Sequence, residues 1–206
     1  MTLALGVLAS GRGSNLQAIL DACARPGFPA RVAVVISDRE RAVALERARA
    51  AGVDALWLNP KDFGDREAYD AALVRELDAR GVGLVCQAGW MRILSPVYIR
   101  AFRGRAVNIH PSLLPAFPGL HAQRQALEHG VKMAGATVHF TDEGVDTGPI
   151  IVQAAVPVEP GDTEDMLAAR ILTAEHRIYP EAIRLFAEGR LTIVGRTVVI
   201  NAEGRE

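Results

Sequence analysis

The sequence predicts an α/β fold built on a mostly parallel, twisted sheet. Short apolar, β-branched runs alternate with helical patterns through the first half of the chain, which is typical of βαβ units. Two later strand-like runs, 134–140 and 150–158, are separated only by a glycine-rich loop. That loop is too short for a crossover helix, so the two runs should pair antiparallel. We therefore expect a Rossmann-like sheet with helices on both faces and antiparallel strands in the C-terminal part.

The elements of the first half follow from local patterns. Five β-branched, apolar runs predict strands at 3–9, 31–37, 54–58, 84–88 and 106–109. Helices are predicted where apolar residues recur at helical spacing and a glycine follows, or where Ser95 and Pro96 provide an N-cap and a first helical residue. These helices cover 16–23, 41–51, 66–79 and 96–101.

The elements of the second half include one long helix and a final hairpin. Asp162 or Thr163 is placed to cap a helix running toward Ile178, and Pro180 should restart it. Residues 191–194 and 197–201 predict a hairpin turning at 195–196. Because no repeat or linker divides the chain, we expect a single domain over 1–206. Its expected parts are 1–105, 106–190 and a C-terminal appendage (191–206).

Composition narrows the class of protein. The chain has 206 residues, of which 50% are hydrophobic, and a net charge of −1. This composition excludes a disordered chain and offers no electrostatic footprint for nucleic acid or an anionic membrane. Cys23 and Cys86 match no metal-ligand spacing and favour reduced thiols. Without a signal-peptide pattern or a spanning segment, cytoplasmic residence is expected.

The most informative stretch is Asn108-Ile109-His110-Pro111. Side chains at i and i+2 of a strand point the same way, so Asn108 and His110 should share one face where the strand ends. A carboxamide beside an imidazole is suited to polarising a carbonyl. Taken alone, the pair also fits a structural role in which both groups hydrogen-bond a neighbouring loop.

A glycine loop lies between the first strand and the first helix. The run Ser10-Gly11-Arg12-Gly13-Ser14-Asn15 aims backbone N–H groups and a helix dipole at an anion, with Ser14 and Asn15 available to cap the helix and to donate to phosphate. The run is neither a Walker loop nor a full dinucleotide motif. A tight turn, or a dinucleotide site using Asp38, stays open.

A carboxylate comes from a second glycine-rich loop, Glu143-Gly144-Val145-Asp146-Thr147-Gly148-Pro149. An Asp between glycines is often a turn residue. Beside His110, however, Asp146 would orient the imidazole and favour its protonated form. His121, His129 and His176 are expected to be satisfied polar or surface residues, whereas His139 leads into this loop and is placed to approach the site.

These three segments in this order resemble the phosphoribosylglycinamide formyltransferase family, folate-dependent enzymes of purine synthesis. Gly-x-Gly-Ser-Asn-Leu, Asn-x-His-Pro-Ser-Leu-Leu-Pro and Asp-x-Gly-Pro carry the likeness, which covers nearly the whole chain except the residues after Thr197. The resemblance implies the formyltransferase fold, with a phosphate-binding half at 1–105 and a catalytic and folate-binding half at 106–190. It also implies transfer of a formyl group from 10-formyltetrahydrofolate to glycinamide ribonucleotide without a metal, by a monomer or a homodimer acting on small molecules.

The resemblance also implies roles for particular residues. The expected catalytic trio is Asn108, His110 and Asp146. The phosphoribosyl group of the substrate is expected at Arg12, Gly13, Ser14, Asn15 and Glu175. The folate is expected at Arg66, Met91, Arg92, Ile93, Leu94, Asn108, Phe140, Val145 and Asp146.

Three alternatives stay open at this level. Methionyl-tRNA formyltransferase shares the Asn-x-His element, but full likeness would need a further domain and a basic surface. Formyltetrahydrofolate deformylase shares the catalytic core, but it carries an additional N-terminal domain and needs no phosphate loop. A non-catalytic phosphate-binding module would explain the glycine loop and leave the trio without a task.

Overall fold

A computed structural model describes residues 2–202 of the chain. The chain forms two compact units, Met1–Asn108 and Ile109–Glu206. The predicted division of a single domain at 105/106 and 190/191 stays a prediction. Residue 1 and residues 203–206, the end of the predicted appendage, lie outside the described residues.

Within its described residues, the first unit contains five parallel strands. They are Leu3–Leu8 (β1), Ala30–Ser37 (β2), Asp54–Trp57 (β3), Leu84–Gln87 (β4) and Ala106–His110 (β5). Their order is β3-β2-β1-β4-β5. Each predicted strand agrees to within one residue at either end. Buried parallel strands such as β1 and β4 are largely apolar runs that local sequence reveals. The last strand, β5, continues to His110 and thus into the second unit.

Four helices of the first unit were predicted, and the structure adjusts two of them. They are Ser14–Cys23 (α1), Val43–Ala50 (α2), Arg66–Asp78 (α3) and Pro96–Ala101 (α4), with an unpredicted 3₁₀ turn at Pro60–Asp62. The prediction that α2 begins at residue 41 is wrong, because the Ala42 N–H donates to the Arg39 carbonyl in a turn. Ser95 is the N-cap of α4, yet its side chain makes no capping bond. Its amide instead donates to the buried carboxylate of Asp70.

The second unit contains two antiparallel pairs of strands within the described residues. They are Met133–Phe140 (β6), Ile150–Pro157 (β7), Leu191–Val194 (β8) and Thr197–Ile200 (β9), in the order β6-β7-β9-β8. β6 pairs antiparallel with β7, as predicted. β8 and β9 form the predicted hairpin, whose Gly195 has a φ of 61°. The mostly parallel α/β fold with antiparallel strands near its C-terminus is therefore confirmed.

The long helix of the second unit is continuous. It spans Glu164–Ala187 (α6), and the Thr163 side chain caps it by accepting from the Met166 N–H. The prediction that Pro180 restarts the helix is wrong. Proline removes one intrahelical hydrogen bond, but Ile178, Tyr179, Ala182 and Ile183 on both sides of it are buried, and this packing holds the helix together. A shorter helix at Ala122–Glu128 (α5) was not predicted.

None of the helices within residues 2–202 has the length and apolarity that crossing a membrane requires.

Candidate active site

Three buried side chains meet in the second unit. His110 is the last residue of β5, and its Nδ1 lies 3.3 Å from Oδ2 of Asp146 in the loop between β6 and β7. Oδ1 of the same carboxylate lies 3.7 Å from Nε2 of His139 on β6. The side chains of His110, Asp146 and His139 are only 6%, 10% and 3% exposed. The expectations that Asp146 lies beside His110 and that His139 approaches it agree with this geometry.

Backbone geometry holds the Asp146 carboxylate in place. Asp146 has a φ of 55°, a left-handed conformation that Asp tolerates better than most residues. Its Oδ2 also accepts a hydrogen bond of 2.8 Å from the Gly119 N–H. The carboxylate is therefore held between a backbone donor and two imidazoles, and its position does not depend on the His110 contact alone.

Both nitrogens of His110 face acceptors. Nδ1 faces Asp146, and Nε2 lies 2.8 Å from the carbonyl oxygen of Phe117. A neutral imidazole has one N–H and can donate to only one of these oxygens, whereas an imidazolium donates to both. For His139 the position of one proton follows from a single contact. Its Nδ1 lies 2.9 Å from the Phe140 carbonyl, and a carbonyl oxygen only accepts, so Nδ1 is the donor. Its Nε2 is the nitrogen that faces Asp146.

Burial and neighbouring charges shift the pKa values of His110 and Asp146 in opposite directions. Burial lowers the pKa of His110 below its ordinary value, and the Phe117 carbonyl and the Asp146 charge offset only part of that effect. Burial alone would raise the pKa of Asp146. Contacts with His139 and the Gly119 N–H, together with the charges of both histidines, outweigh it, so the pKa of Asp146 is lowered. Asp146 is therefore ionised at neutral pH.

The lowered pKa of His110 predicts a pH dependence of stability. A histidine that is harder to protonate in the folded chain destabilises it below the ordinary pKa of 6.5, because the unfolded chain then binds more protons. The free energy of unfolding should fall as the pH drops from 6.5 toward the folded pKa. We expect urea denaturation to show a weaker pH dependence in His110→Asn than in wild type. Equal slopes for the two proteins would contradict this assignment.

Asn108 lies two residues before His110 on β5 and is half-buried. Because side chains at i and i+2 of a strand lie on the same face, its carboxamide is on the side of the strand that carries His110. The sequence predicted that Asn108 and His110 share one face at the end of a strand, and β5 agrees with that prediction.

The glycine loop of the first unit borders an open cavity of about 260 Å³. All six loop residues contribute to the lining, together with Arg39, Ala88, Gly89 and Met91. The cavity therefore contains two arginines, Arg12 and Arg39, beside the N-terminus of α1. Positive side chains, loop amides and a helix N-terminus form a setting that suits an anion.

The helix N-terminus in this loop differs in one detail from the prediction. The N-cap of α1 is Gly13, with a φ of 69°, and no side chain caps the helix. The expected capping by Ser14 or Asn15 is therefore wrong. Glycine is required at position 13, since a Cβ there would lie 2.9 Å from the Cα of Ala44.

The residues expected to bind folate fall into two sets. In the first unit, Met91 is 60% exposed and reaches the cavity of the glycine loop, and Ile93 is 66% exposed. The Arg92 guanidinium lies over the Tyr69 ring at 4.8 Å. Leu94 packs against the hydrophobic core instead. Arg66 is exposed at the start of α3.

The remaining predicted site residues belong to the second unit. Val145 is 54% exposed next to Asp146, whereas Phe140 is buried and packs against Phe186 with ring centroids 6.3 Å apart. The side chain of Phe140 is therefore part of the core. Glu175 is a buried residue of α6. Among residues 2–202, no three His, Cys, Asp or Glu side chains are grouped so that they would hold a metal ion.

Sequence reasoning missed three contributors. The Phe117 carbonyl and the Gly119 N–H contact His110 and Asp146, and both belong to an irregular loop whose backbone contacts leave no sequence signal. Arg39 lines the cavity of the glycine loop. Its position just after β2 was a usable signal, because the carboxyl ends of neighbouring parallel strands meet at one edge of the sheet.

Comparison with known proteins agrees with this arrangement. Residues 4–183 match the formyl transferase family. The chain belongs to this family. It is 51% identical to phosphoribosylglycinamide formyltransferase of Escherichia coli K12, over 90% of this chain and 87% of that protein. A crystal structure of glycinamide ribonucleotide transformylase 1 from Symbiobacterium toebii is 64% identical with a TM-score of 0.96, covering 97% of this chain and 94% of that chain.

Longer relatives contain this unit as a part. The trifunctional purine biosynthetic protein adenosine-3 of Drosophila melanogaster is 54% identical over 92% of this chain, which spans 14% of the length of that protein. The resemblance that the three motifs suggested is confirmed at the level of the family.

Proposed function

We propose that the chain transfers a formyl group from 10-formyltetrahydrofolate to the amine of glycinamide ribonucleotide, a cytoplasmic step of purine nucleotide synthesis. The observation that carries the proposal is the buried contact of 3.3 Å between His110 and Asp146, on a chain that also has a glycine loop with two arginines at its cavity. A buried imidazole paired with a carboxylate is typical of proton-transfer sites. Relatives named for this activity support the choice of substrates.

The proposed reaction is a direct acyl transfer. The neutral amine attacks the formyl carbon, forming a C–N bond and placing negative charge on the former carbonyl oxygen. Asn108 and the N–H of His110 donate to that oxygen, and losing one such donor typically costs about a hundred-fold or more in rate. The tetrahedral intermediate then collapses, the bond to the folate nitrogen breaks, and the amine proton is transferred to that nitrogen.

Asp146 has two tasks in this scheme. Its carboxylate orients the His110 ring through Nδ1, and its charge stabilises the ring when it is protonated. That charge matters because burial lowers the pKa of His110. Asp146 also lies where it can assist the transfer of the amine proton, directly or through a water molecule.

The reacting nitrogen of His110 must change partners during the cycle. Nε2 contacts the Phe117 carbonyl at 2.8 Å, so donation to the formyl oxygen requires this carbonyl to move away. Phe117 itself has a φ of 53°, a conformation unfavourable for a bulky residue. Substrate binding would then be coupled to rearrangement of the loop that carries Phe117.

The other residues take binding roles in the proposal. The phosphate is held by the loop amides and by Arg12, Gly13, Ser14 and Asn15, while Glu175 holds the ribose hydroxyls. The folate is held by Arg66, Met91, Arg92, Ile93, Leu94, Asn108, Phe140, Val145 and Asp146, in which backbone groups recognise the pterin edge. The partners are small molecules without nucleic acid or membrane, and the protein is a monomer or a homodimer.

One assay tests the proposal. Consumption of 10-formyltetrahydrofolate should require glycinamide ribonucleotide, and His110→Ala should slow it roughly a hundred-fold or more because the oxyanion loses a donor. Consumption without the amine would identify a deformylase instead. Absence of consumption under both conditions would leave a phosphate-binding module. Wild type and variant should have similar melting temperatures for the comparison to be valid.

A further inference from the structure

Three successive carbonyl groups of the glycine loop accept hydrogen bonds from the protein. The Gly11 carbonyl accepts from the Ala44 N–H at 3.1 Å, and the Gly13 carbonyl accepts from the Gln17 N–H at 2.9 Å. Between them, the Arg12 carbonyl accepts from Nε of Arg47 at 2.9 Å. Ala44 and Arg47 both belong to α2, so this helix binds two successive carbonyls of the loop.

These bonds determine where the loop amides point. In a trans peptide the C=O of one residue and the N–H of the next are antiparallel. When the carbonyls of Gly11 and Arg12 face α2, the amides of Arg12 and Gly13 face away from it. Neither amide donates a hydrogen bond within residues 2–202. Two adjacent amides directed to one side form the kind of concavity that binds anions.

A second contact fixes the orientation of the Arg47 side chain. Its Nη1 donates to Oε1 of Gln17 at 3.0 Å, and Nε2 of Gln17 donates to Asp21 at 2.9 Å. The guanidinium thus bridges the loop and α1 with a fixed orientation. Arg47 is also absent from the lining of the cavity that Arg12 and Arg39 border. It therefore contacts the loop on the side of the carbonyls, away from the cavity.

We propose that Arg47 is a positioning residue of the substrate-phosphate loop: by binding the Arg12 carbonyl it directs the Gly13 amide toward the phosphate. The inference rests on the proposed function for the identity of the anion. A peptide freed from Arg47 can rotate, and a rotated peptide would present a carbonyl to the phosphate and repel it. Arg47 therefore contributes through the orientation of the loop, without contacting the substrate.

The direct test uses inorganic phosphate and the full chain. Phosphate should shift the backbone amide resonances of Arg12 and Gly13 in wild type. Arg47→Met keeps an unbranched apolar stem but loses the guanidinium donors, and it should bind phosphate roughly tenfold more weakly, since hydrogen bonds to charged groups are worth about that much. Arg49→Met, which removes the same charge from an exposed position on α2, should stay within about twofold of wild type.

Further variants and a salt control separate an effect of Arg47 on loop orientation from an effect of its charge and from a loss of folding. Arg47→Lys keeps the charge but replaces the planar guanidinium with a single ammonium group, and its phosphate affinity should lie between those of wild type and Arg47→Met. The loss in Arg47→Met should persist at about 1 M salt, where surface charges are screened beyond roughly 3 Å. Gln17→Leu removes the contact that orients the Arg47 guanidinium, so it should cause a smaller loss of phosphate affinity. It replaces Arg47→Met in the test if that variant unfolds at a low temperature. In turnover, Arg47→Met should raise the KM for glycinamide ribonucleotide and leave kcat and the KM for the formyl donor unchanged.

Several outcomes overturn the inference. These are phosphate affinity in Arg47→Met equal to wild type, an equal loss in Arg49→Met, a loss that disappears at high salt, or no response of the Arg12 and Gly13 amides in wild type. A failure of the proposed function can be distinguished from a failure of the positioning role. If phosphate binds at these amides and depends on Arg47, but glycinamide ribonucleotide is not formylated, the positioning role stands and only the reaction is wrong.

Discussion

Replacing Asp146 by asparagine should lower kcat by roughly three orders of magnitude, within the range that general acid–base groups contribute. The carboxylate contacts His110 Nδ1 at 3.3 Å, His139 Nε2 at 3.7 Å and the Gly119 N–H at 2.8 Å. Asparagine can still accept from Gly119, so the loop should keep its shape. What disappears is the negative charge that stabilises a protonated His110 in an environment where burial lowers its pKa.

Steady-state kinetics with both substrates measures the effect. The KM for glycinamide ribonucleotide should stay near the wild-type value, because Asp146 has no part in holding the phosphate. Asp78→Asn provides a matched control, since Asp78 is an exposed carboxylate at the end of α3. A decrease in kcat of less than about tenfold for Asp146→Asn would show that His110 acts without the carboxylate.

The features that could be predicted share a local cause. Strand periodicity placed Asn108 and His110 on one face, and β5 indeed runs through both residues. Burial made β1 and β4 largely apolar runs, and the bounds of all five strands were found to within one residue. The pairing of Asp146 with His110 was first a conditional hypothesis, and it became an expectation when a resemblance joined the two distant motifs. Local patterns contain no information on which loop meets which strand.

The features that could not be predicted depend on backbone contacts over long range. The loop after His110 has left-handed conformations at Phe117 and His121, with φ of 53° and 60°. A bulky residue such as Phe rarely adopts that conformation, so no propensity indicates the turn that delivers the Phe117 carbonyl to His110. Pro180 shows the opposite failure, because a strong local signal for a break was overridden by the buried residues around it.

The largest effect on stability is expected from Gly148→Ala. A Cβ at position 148 would overlap the Phe140 carbonyl oxygen and lie 2.7 Å from its carbon. That carbonyl cannot simply move, because it accepts from His139 Nδ1 at 2.9 Å while the Phe140 N–H donates to the Pro149 carbonyl at 2.9 Å. Glycine in the Asp-x-Gly-Pro motif is thus explained by a close backbone approach beside the carboxylate loop.

We expect Gly148→Ala to lower the free energy of unfolding by about 3 kcal/mol, the upper range for an overpacked site, and the melting temperature by roughly 6 to 12 °C. Gly64→Ala is the control, since nothing lies within 4 Å of a Cβ there, and it should change stability by less than about 1 kcal/mol. Because displacement of the Phe140 carbonyl disturbs His139 and through it Asp146, kcat of the folded variant should also fall. Equal melting temperatures for the two variants would show that the β6–β7 loop yields to the added methyl group, and the close approach would then not explain the glycine.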